Sequence, residues 1–321
     1  MPSQIVVPSS LRPEKLDDYI GQDRTKEVLR VAIQAAKIKK EALDHTIING
    51  PPGLGKTTLA RIIANEMGWS IKTTIGGSLK TPKSVETLFR VLDDNSIVFV
   101  DEIHRVQKPA QEVFYPVMED NVIYTSFAGT SFSVNLGPLT IIGATTAIGK
   151  LAQPFLDRFG LSFQLEYYTD EEMATLVKTN SDKLEMSLSN SAIHEVVTRA
   201  RKTPRIGNRI LKRIQDFKLA WNLDWSEIDG KWVAKLLWDK FRIDDDGLLG
   251  IDRKILRIIA TRGPVGVDTI GSIANESTET IEGMVEPYLL ALGYINRDRD
   301  GRVITEEGKN HLALLRKVKD S

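Results

Sequence analysis

The segment 50–57, GPPGLGKT, constrains the fold more than any other part of the sequence, because it follows the pattern G-x-x-x-x-G-K-[ST]. An apolar run at 46–48 precedes it and predicts a buried strand, whereas a helical pattern of apolar residues follows it and ends at Gly68. Glycines let such a loop curl until several backbone N–H groups point at one phosphate chain, and the next helix adds the positive end of its dipole. Strand, loop and helix in this order predict a phosphate-binding α/β unit.

Strand and helix patterns alternate through the first 165 residues. Apolar runs at 97–100 and 140–142 predict two further buried strands, and Phe163 with Leu165 marks another. A helical period of apolar residues covers 23–40. Strands that alternate with helices are typical of a parallel sheet with crossover helices. The fold class expected here is therefore α/β.

Helical patterns dominate the chain from Thr169 onward. Four helices are predicted, at 171–184, 191–201, 206–221 and 231–241. The tryptophans crowded into this stretch are expected in the common core of these helices, and a ligand cage is the minor alternative. They are Trp221, Trp225, Trp232 and Trp238.

The last part of the sequence has the outline of a winged helix. Residues 242–249 hold three aspartates and a glycine and are typical of a linker. Three helices are predicted after it, and Pro287 is expected to kink the third, at 278–292. A hairpin turn at Asp300 and Gly301 follows. The sequence thus predicts three domains, at 1–165, 166–243 and 244–321.

Two carboxylates, Asp101 and Glu102, end the strand predicted at 97–100. Beside the phosphate loop they form the set that hydrolysis of a phosphoanhydride requires. Lys56 places a positive charge on the β- and γ-phosphates, while the Thr57 hydroxyl and Asp101 hold Mg²⁺. Glu102 orients and polarises the attacking water. Hydrolysis of ATP, or of GTP, with Mg²⁺ is the predicted reaction.

Composition excludes several other kinds of chemistry. The chain has no cysteine, which rules out disulfides, thiolate zinc sites and cysteine nucleophiles. It has 43 basic and 43 acidic residues, so a protein coated with nucleic acid over its whole surface is not expected. Neither a signal peptide nor an apolar run of membrane-spanning length is visible, which favours a cytoplasmic protein.

Five segments resemble the AAA+ ATPases, and five more resemble the RuvB family within them. The first set is 50–57, DEIHR at 101–105, GATT at 143–146, DRFG at 157–160 and TPRI at 203–206. The second set is LRP at 11–13, YIGQ at 19–22, YPVMED at 115–120, PVG at 264–266 and EPYL at 286–289. The resemblance runs over nearly the whole chain. It implies an AAA+ P-loop domain, a small helical lid and a C-terminal winged-helix DNA-binding domain.

The resemblance also implies site residues. Arg158 would be an arginine finger that reaches the nucleotide of a neighbouring subunit, although a surface ion pair is the simpler interpretation. Tyr19 would line the adenine pocket, although core packing also explains a tyrosine there. The implied catalytic residues are Lys56, Asp101, Glu102, Thr146, Arg158 and Arg205, with Thr57 and Asp101 as metal ligands. The implied nucleotide-binding residues are Arg12, Tyr19, Ile20, Gly53, Leu54, Gly55, Lys56, Thr57, Thr58, Tyr168, Pro204 and Arg205.

Function and assembly follow from the same resemblance. A finger supplied by a neighbour completes the active site only between subunits, and the family assembles as hexameric rings. The implied function is an ATP-driven DNA motor, a translocase or helicase, that catalyses branch migration of Holliday junctions in recombination and repair. One alternative is a clamp-loader-like or protein-remodelling ATPase. Another is a nucleotide-gated DNA-binding scaffold that uses ATP only to assemble.

Two hairpins are the candidate contacts with partners. The hairpin predicted at 121–138 would dock a RuvA-like junction-binding protein, although a surface hairpin without a partner also fits. The C-terminal hairpin would meet DNA phosphates through Arg297, Arg299 and Arg302. Aspartates interleave with these arginines, so a solvated turn of mixed charge stays open as an alternative.

Overall fold

The computed structural model describes residues 11–127 and 130–319, which form two compact units that meet in the sequence at Tyr168 and Thr169. Within these residues, no helix combines the length and the apolar character of a membrane span. The tip of the hairpin predicted at 121–138 falls on residues 128–129, outside the described residues. The domain bounds at 165/166 and 243/244 stay a prediction.

The first unit is built on a five-stranded parallel sheet in the order β2-β3-β6-β1-β7. The strand carrying the phosphate loop, β1, pairs with β6 on one side and β7 on the other, so the loop leaves the sheet between two neighbours. A separate antiparallel hairpin, β4 with β5, follows α4. The elements are α1 (Asp23–Lys39), β1 (Thr46–Asn49), α2 (Lys56–Met67), β2 (Ser70–Ile75), α3 (Pro82–Arg90), β3 (Ser96–Asp101), α4 (Lys108–Asp120), β4 (Val122–Phe127), β5 (Thr130–Asn135), β6 (Leu139–Thr145), α5 (Gln153–Leu156) and β7 (Leu161–Gln164).

A chain of aromatic rings extends the core of this unit to the short helix α5. Phe89 on α3 meets Phe114 on α4, Phe114 meets Phe155 on α5, and Phe155 meets Phe159. Their centroids lie 5.5 to 5.7 Å apart with the ring edges turned to the ring faces, a favourable arrangement. Phe155 and Phe159 are buried, and they anchor the segment between them to the core.

The second unit begins with four helices near the predicted positions. Thr169 caps the first, because its hydroxyl accepts the Glu172 N–H while the Glu172 carboxylate accepts the Thr169 N–H. The expectation that the four tryptophans form the core is wrong, since none is buried and Trp221 is 48% exposed. Smaller aliphatic side chains such as Val233 fill the core instead. The helices are α6 (Asp170–Lys183), α7 (Asn190–Arg199), α8 (Pro204–Trp221) and α9 (Gly230–Phe241).

The segment 242–249 connects α9 to the next helix, at 250–262, without regular secondary structure, as a linker is expected to, but part of it is buried and held by polar contacts. Asp244 is buried, and its carboxylate accepts the Leu248 N–H at 2.7 Å and contacts Arg253 and His311. Burial lowers the pKa of His311, but the carboxylates of Asp244 and Asp246 outweigh it and raise that pKa to about 9. The three aspartates of this connection are paired with the buried cations Arg199, Arg253 and His311.

The rest of the second unit has the elements of a winged helix. The single helix expected at 278–292 is instead a short helix, a π-helical turn at Ile281–Val285 and a second short helix. Pro287 lies in the first turn of that second helix, where its missing N–H costs least. The elements are α10 (Gly250–Arg262), α11 (Val267–Ala274), α12 (Thr278–Thr280), α13 (Glu286–Ala291), β8 (Ile295–Asp298), β9 (Gly301–Ile304) and α14 (Glu306–Lys319).

The turn of the β8–β9 hairpin is displaced by one residue from its predicted place. Asp298 pairs with Gly301, so Arg299 and Asp300 form the two-residue loop. Gly301 lies within the strand at φ 136°, and a Cβ there would come within 2.5 Å of the Val265 backbone. Val265 and Arg302 also exchange two backbone hydrogen bonds, which hold the two segments together. The close approach therefore requires a glycine at 301.

Candidate nucleotide site

The loop after β1 has the open backbone that a phosphate cradle requires. Gly53 and Gly55 have φ values of 91° and 98°, which lie in the left-handed region that glycine adopts without strain. A Cβ on Gly55 would lie 2.8 Å from the Tyr19 hydroxyl. The Tyr19 hydroxyl itself donates a hydrogen bond to the Leu54 carbonyl at 3.1 Å. Tyr19 therefore packs under the loop and supports its shape from below.

Lys56 is the first residue of α2 and is largely buried. Its ammonium group donates to the carbonyl oxygens of Gly50, at 2.6 Å, and Pro51, at 3.0 Å. The loop thereby folds back over its own lysine and holds the charge at the N-terminal end of α2. Thr57 and Thr58 continue the first turn of this helix and are half-buried. A cation beside a helix N-terminus favours an anionic ligand.

The carboxyl ends of β1, β3 and β6 meet at the same edge of the sheet as this loop. The Gly50 N–H donates to the Thr145 carbonyl at 3.2 Å, which ties the start of the loop to the end of β6. Asp101 ends β3, and its carboxylate accepts the Glu102 N–H at 3.0 Å. Both carboxylates are half-buried. Because these strands are parallel, their carboxyl ends bring the acidic pair, the phosphate loop and Thr145–Thr146 together, although these segments lie far apart in the sequence.

Glu102 is held in an uncommon backbone conformation, with φ at 50°. Gly76 allows it, because a Cβ on Gly76 would lie 2.3 Å from the Glu102 carbonyl oxygen. The Glu102 carboxylate accepts a hydrogen bond from the Thr146 hydroxyl at 3.3 Å and lies 3.4 Å from His104 Nε2. Left-handed backbone at a non-glycine residue is concentrated at functional sites. Here it directs the carboxylate toward the Thr146 side of the site.

The imidazole of His104 bridges the acidic pair and β6. Its Nδ1 lies 2.8 Å from the Thr145 hydroxyl, which also accepts the Ala147 N–H at 2.9 Å. Its Nε2 faces the Glu102 carboxylate. The motif at 101–105 includes His104, but nothing in the sequence predicts a role for it. Glu102 is two residues away, whereas Thr145, the other partner, comes from a distant strand.

Tyr19 connects the N-terminal segment to the phosphate loop. Tyr19 and Tyr168 are both buried, and burial raises the pKa of Tyr19 to about 12, while a smaller lowering comes from its hydrogen bond with Tyr168. Arg12 and Ile20 are half-buried near this tyrosine in the chain. Gln22 exchanges two hydrogen bonds with the Glu166 backbone, at 2.7 and 3.2 Å, and so joins this segment to the end of the unit.

Arg158 lies directly after α5, where three neighbours hold it. Its Nη2 lies 2.8 Å from the Glu119 carboxylate, and its Nη1 donates to the Pro154 carbonyl at 2.5 Å. The guanidinium lies over the Tyr115 ring, 4.2 Å from its centroid. The side chain is 23% exposed. Within one chain, Arg158 thus forms an ion pair, which is the alternative to the arginine finger that the sequence leaves open.

Pro204 and Arg205 belong to the second unit. Pro204 is the first residue of α8, a position at which proline suits a helix, and Arg205 beside it is exposed. Of the neighbouring basic residues, Arg199 is buried and pairs with Glu195 and Asp245. Arg199 is therefore bound within its own unit, whereas Arg205 is exposed.

The wing arginines have different environments. Arg302 is only 14% exposed and pairs with Glu282 and Glu286, each at 3.0 Å. Arg297 is 57% exposed and also contacts Glu286, at 2.6 Å. Burial would raise the pKa of the Glu286 carboxyl, but hydrogen bonds from these two arginines hold it below its usual range. Arg299 is exposed at the tip of the hairpin.

Family models match the chain in three consecutive segments. Residues 11–165 match the Holliday junction DNA helicase RuvB P-loop domain, residues 168–239 match the RuvB AAA lid domain, and residues 245–313 match the RuvB C-terminal winged helix domain. The expected fold class, a parallel-sheet P-loop domain with a lid and a winged helix, is thereby confirmed.

Individual relatives agree with these matches. The Holliday junction branch migration complex subunit RuvB of Leuconostoc mesenteroides is 44% identical over 310 residues, which cover 94% of this chain and 88% of that protein. A solved structure of the Thermotoga maritima RuvB Holliday junction branch migration motor is 36% identical, with a TM-score of 0.86 over 95% of this chain and 98% of the other. A variant of the same Thermotoga protein superposes with a TM-score of 0.87. The chain belongs to the RuvB family of AAA+ ATPases.

Proposed function

We propose that this protein is an ATP-driven motor that moves four-way DNA junctions by branch migration, as a translocase or helicase in recombination and repair. The observation that carries the proposal is the meeting of the phosphate loop, the acidic pair and the Thr145–Thr146 end of β6 at one edge of the sheet. The relatives are a branch migration complex subunit and a branch migration motor. A chromosomal DNA substrate would place this work in the cytoplasm.

ATP with Mg²⁺ is the proposed cofactor. The glycine cradle and the start of α2 fit a triphosphate, and the Lys56 ammonium would exchange its loop carbonyls for phosphate oxygens. The Thr57 hydroxyl and the Asp101 carboxylate are hard oxygen donors of the kind that Mg²⁺ prefers. The described residues hold no cluster of three or more His, Asp or Glu side chains suited to a metal. Two protein ligands fit Mg²⁺, which commonly keeps water and phosphate oxygens as its other ligands.

Glu102 and Thr146 are proposed to act on the attacking water and the γ-phosphate. The Glu102 carboxylate accepts the proton of the water, and the Thr146 hydroxyl, 3.3 Å from it, is available to contact the terminal phosphate. Hydrolysis supplies the chemical step of the motor. The adenine side is proposed to be lined by Arg12, Tyr19, Ile20 and Tyr168, with Gly53, Leu54, Gly55 and Thr58 around the phosphates.

Arg158 is proposed to act on the nucleotide of the neighbouring subunit, and Pro204 and Arg205 on the nucleotide of their own. A guanidinium suits such a role because it is always charged and contacts two oxygens at once. A finger that acts in trans requires a closed ring, and a homohexamer is the proposed assembly. The lid would then report the nucleotide state to the winged helix that follows it in the chain.

The β4–β5 hairpin is the proposed docking site for a RuvA-like junction-binding protein. Its base is anchored, because Ile123 is buried and the Thr125 hydroxyl contacts Glu86 and Arg90 on α3. Beside these anchors it exposes Tyr124, which lies between them, and Phe132 and Val134 on the paired strand, which are 64%, 44% and 37% exposed. Large apolar side chains grouped on a surface hairpin are typical of a protein–protein contact.

The wing is proposed to contact DNA backbone phosphates mainly through Arg299. Substituting Arg299 by alanine is expected to weaken binding to duplex DNA and to reduce the magnitude of the salt dependence by about one unit, because one phosphate contact is lost. Substituting Arg302 by alanine is instead expected to lower the free energy of unfolding by about 1–3 kcal/mol, since it removes a donor from the buried Glu286 carboxylate. Salt titrations of DNA binding and thermal unfolding separate the two outcomes. A salt dependence of binding unchanged by the Arg299 substitution would contradict this role of the wing.

A branch-migration assay tests the proposed function directly. Labelled four-way junctions are incubated with ATP and the protein, with and without a RuvA, and Lys56→Ala serves as the control with a disabled phosphate loop. Movement that needs ATP, Lys56 and a junction supports the motor. Equal movement by Lys56→Ala rejects it. ATP turnover without any junction movement favours a remodelling ATPase, and DNA binding without turnover favours a nucleotide-gated scaffold.

A further inference from the structure

We propose that Tyr115 and Glu119 on α4 are positioning residues for Arg158: they hold its guanidinium in the orientation from which it acts on the neighbouring subunit's nucleotide. The inference rests on the proposed role of Arg158 as a finger in trans. Neither residue is expected to touch the nucleotide itself. Both belong to the segment YPVMED at 115–120, in which the sequence predicts a role for neither.

The contacts constrain the guanidinium in two directions. Tyr115 supplies a ring face 4.2 Å from Arg158 Cζ, which restricts how far the planar group tilts. Glu119 accepts from Nη2 at 2.8 Å, which restricts rotation within that plane. The Pro154 carbonyl accepts from Nη1 on the other side of the fork. An aromatic face and two acceptors together select one orientation of a long and flexible side chain.

The helix that carries Tyr115 and Glu119 is anchored in the aromatic core of the first unit. Tyr115 and Glu119 are four residues apart on α4 and so lie on one face of that helix. The Tyr115 ring packs on Phe155 with centroids 6.0 Å apart, and Phe155 is buried in the aromatic chain that reaches Phe89. Phe159, the residue after Arg158, packs on Phe155 as well. The same core therefore holds both the arginine backbone and the two residues that orient its head.

Arg158 keeps N–H donors available for a phosphate after these contacts are made. A guanidinium has five N–H donors, and the two polar contacts occupy one on Nη1 and one on Nη2. Further donors on these two nitrogens remain for phosphate oxygens, and the side chain is 23% exposed. Nε is buried and has no hydrogen-bond partner among the described residues. Ordering the side chain before the neighbour arrives lowers the entropy that the catalytic contact would otherwise cost.

The test uses two disruptive variants, each with a conservative partner. Tyr115→Leu removes the ring face, whereas Tyr115→Phe keeps it. Glu119→Ala removes the acceptor, whereas Glu119→Gln keeps a carbonyl oxygen in its place. The rate of ATP hydrolysis in assembled rings is expected to fall about tenfold for Tyr115→Leu and for Glu119→Ala. The two conservative variants are expected to stay within about threefold of the unaltered protein.

Two further readouts distinguish positioning from loss of structure. Nucleotide affinity is expected to be unchanged for all four variants. The unfolding temperature is expected to be unchanged for the Glu119 variants and to fall by a few degrees for Tyr115→Leu, whose ring packs on Phe155, so that the protein stays folded at the assay temperature. On an Arg158→Ala background, both disruptive substitutions are expected to cause no further loss of hydrolysis, because they act only through that arginine. In mixed rings the defect should follow the subunit that donates the finger, and not the subunit whose phosphate loop holds the nucleotide.

Several results would contradict the positioning role of Tyr115 and Glu119 or the finger itself. Full additivity with Arg158→Ala, or an unchanged rate for both disruptive variants, would overturn the positioning role. Faster hydrolysis by Glu119→Ala would overturn it too, because it would show that Glu119 restrains the finger. If Arg158→Ala itself hydrolyses ATP normally, the proposed finger fails. If Arg158→Ala is inactive while the α4 variants are normal, only this inference fails.

Discussion

Substituting Arg158 by alanine is expected to lower ATP hydrolysis about 10³-fold or more while ATP binding stays almost unchanged. The guanidinium is partly exposed and is held by Glu119 and Tyr115 on α4 and by the Pro154 carbonyl, which all lie outside the phosphate loop. Its charge would therefore be felt only by the transition state in the neighbouring subunit. Single-turnover hydrolysis and equilibrium nucleotide binding measure the two quantities separately. Arg24→Ala, an exposed arginine on α1, is the matched control.

Mixing subunits gives a sharper form of this prediction. Arg158→Ala subunits keep an intact phosphate loop, whereas Lys56→Ala subunits keep an intact finger. A mixed ring places the finger of one beside the loop of the other, so activity is expected to return although neither variant is active alone. Mixed rings that stay as inactive as the two separate variants would argue against a finger acting in trans.

Substituting Glu102 by glutamine is expected to lower hydrolysis by about 10² to 10⁴-fold and to leave rings holding unhydrolysed ATP. Glutamine has the same length, so its side-chain oxygen is able to keep the contact with Thr146 Oγ1 that Glu102 Oε2 makes at 3.3 Å. It cannot accept a proton from water as a carboxylate does. The bound nucleotide is identified by chromatography after the rings are isolated. Glu112→Gln changes an exposed carboxylate of the same unit and serves as the control.

The Glu102→Gln substitution is expected to remove the chemistry of the site and to leave the fold unchanged. Glu102 has a left-handed backbone supported by the close approach of Gly76, and glutamine tolerates that backbone about as well as glutamate. The fold is therefore expected to survive, with an unchanged unfolding temperature. A Glu102→Gln protein that turns over ATP at the normal rate would remove this residue from the proposed mechanism.

Much of the sheet and of the phosphate site follows from local sequence patterns. The apolar runs at 46–48, 97–100 and 140–142 coincide with β1, β3 and β6, because strands buried on both faces are uniformly apolar. The phosphate loop is equally local, since its function comes from its own backbone. By contrast, β2 goes unpredicted, because its alternation of exposed and half-buried residues over 70–75 lacks an apolar run.

Two of the differences share one cause, which is that a local pattern does not show the partners that the fold brings to it. Asp244 belongs to an acidic stretch in which nothing local indicates burial, but Arg253 and His311 come to it from α10 and α14. Gly301 has the local signature of a turn residue, but the approach of Val265 places it within a strand. Neither partner is visible within the window that a local pattern covers.

The α/β class, the phosphate loop, the acidic pair and the family can be predicted from the sequence, because each depends on residues close together in the chain or on a long resemblance. The surroundings of Arg158 and the exposure of each wing arginine depend on the folded chain and have no local signature. A guanidinium takes whichever carboxylate or ring the fold brings within a few ångströms, as Glu119 and Tyr115 do for Arg158 and Glu286 does for Arg302. Long-range packing therefore separates an arginine available to a partner from one that stabilises its own chain.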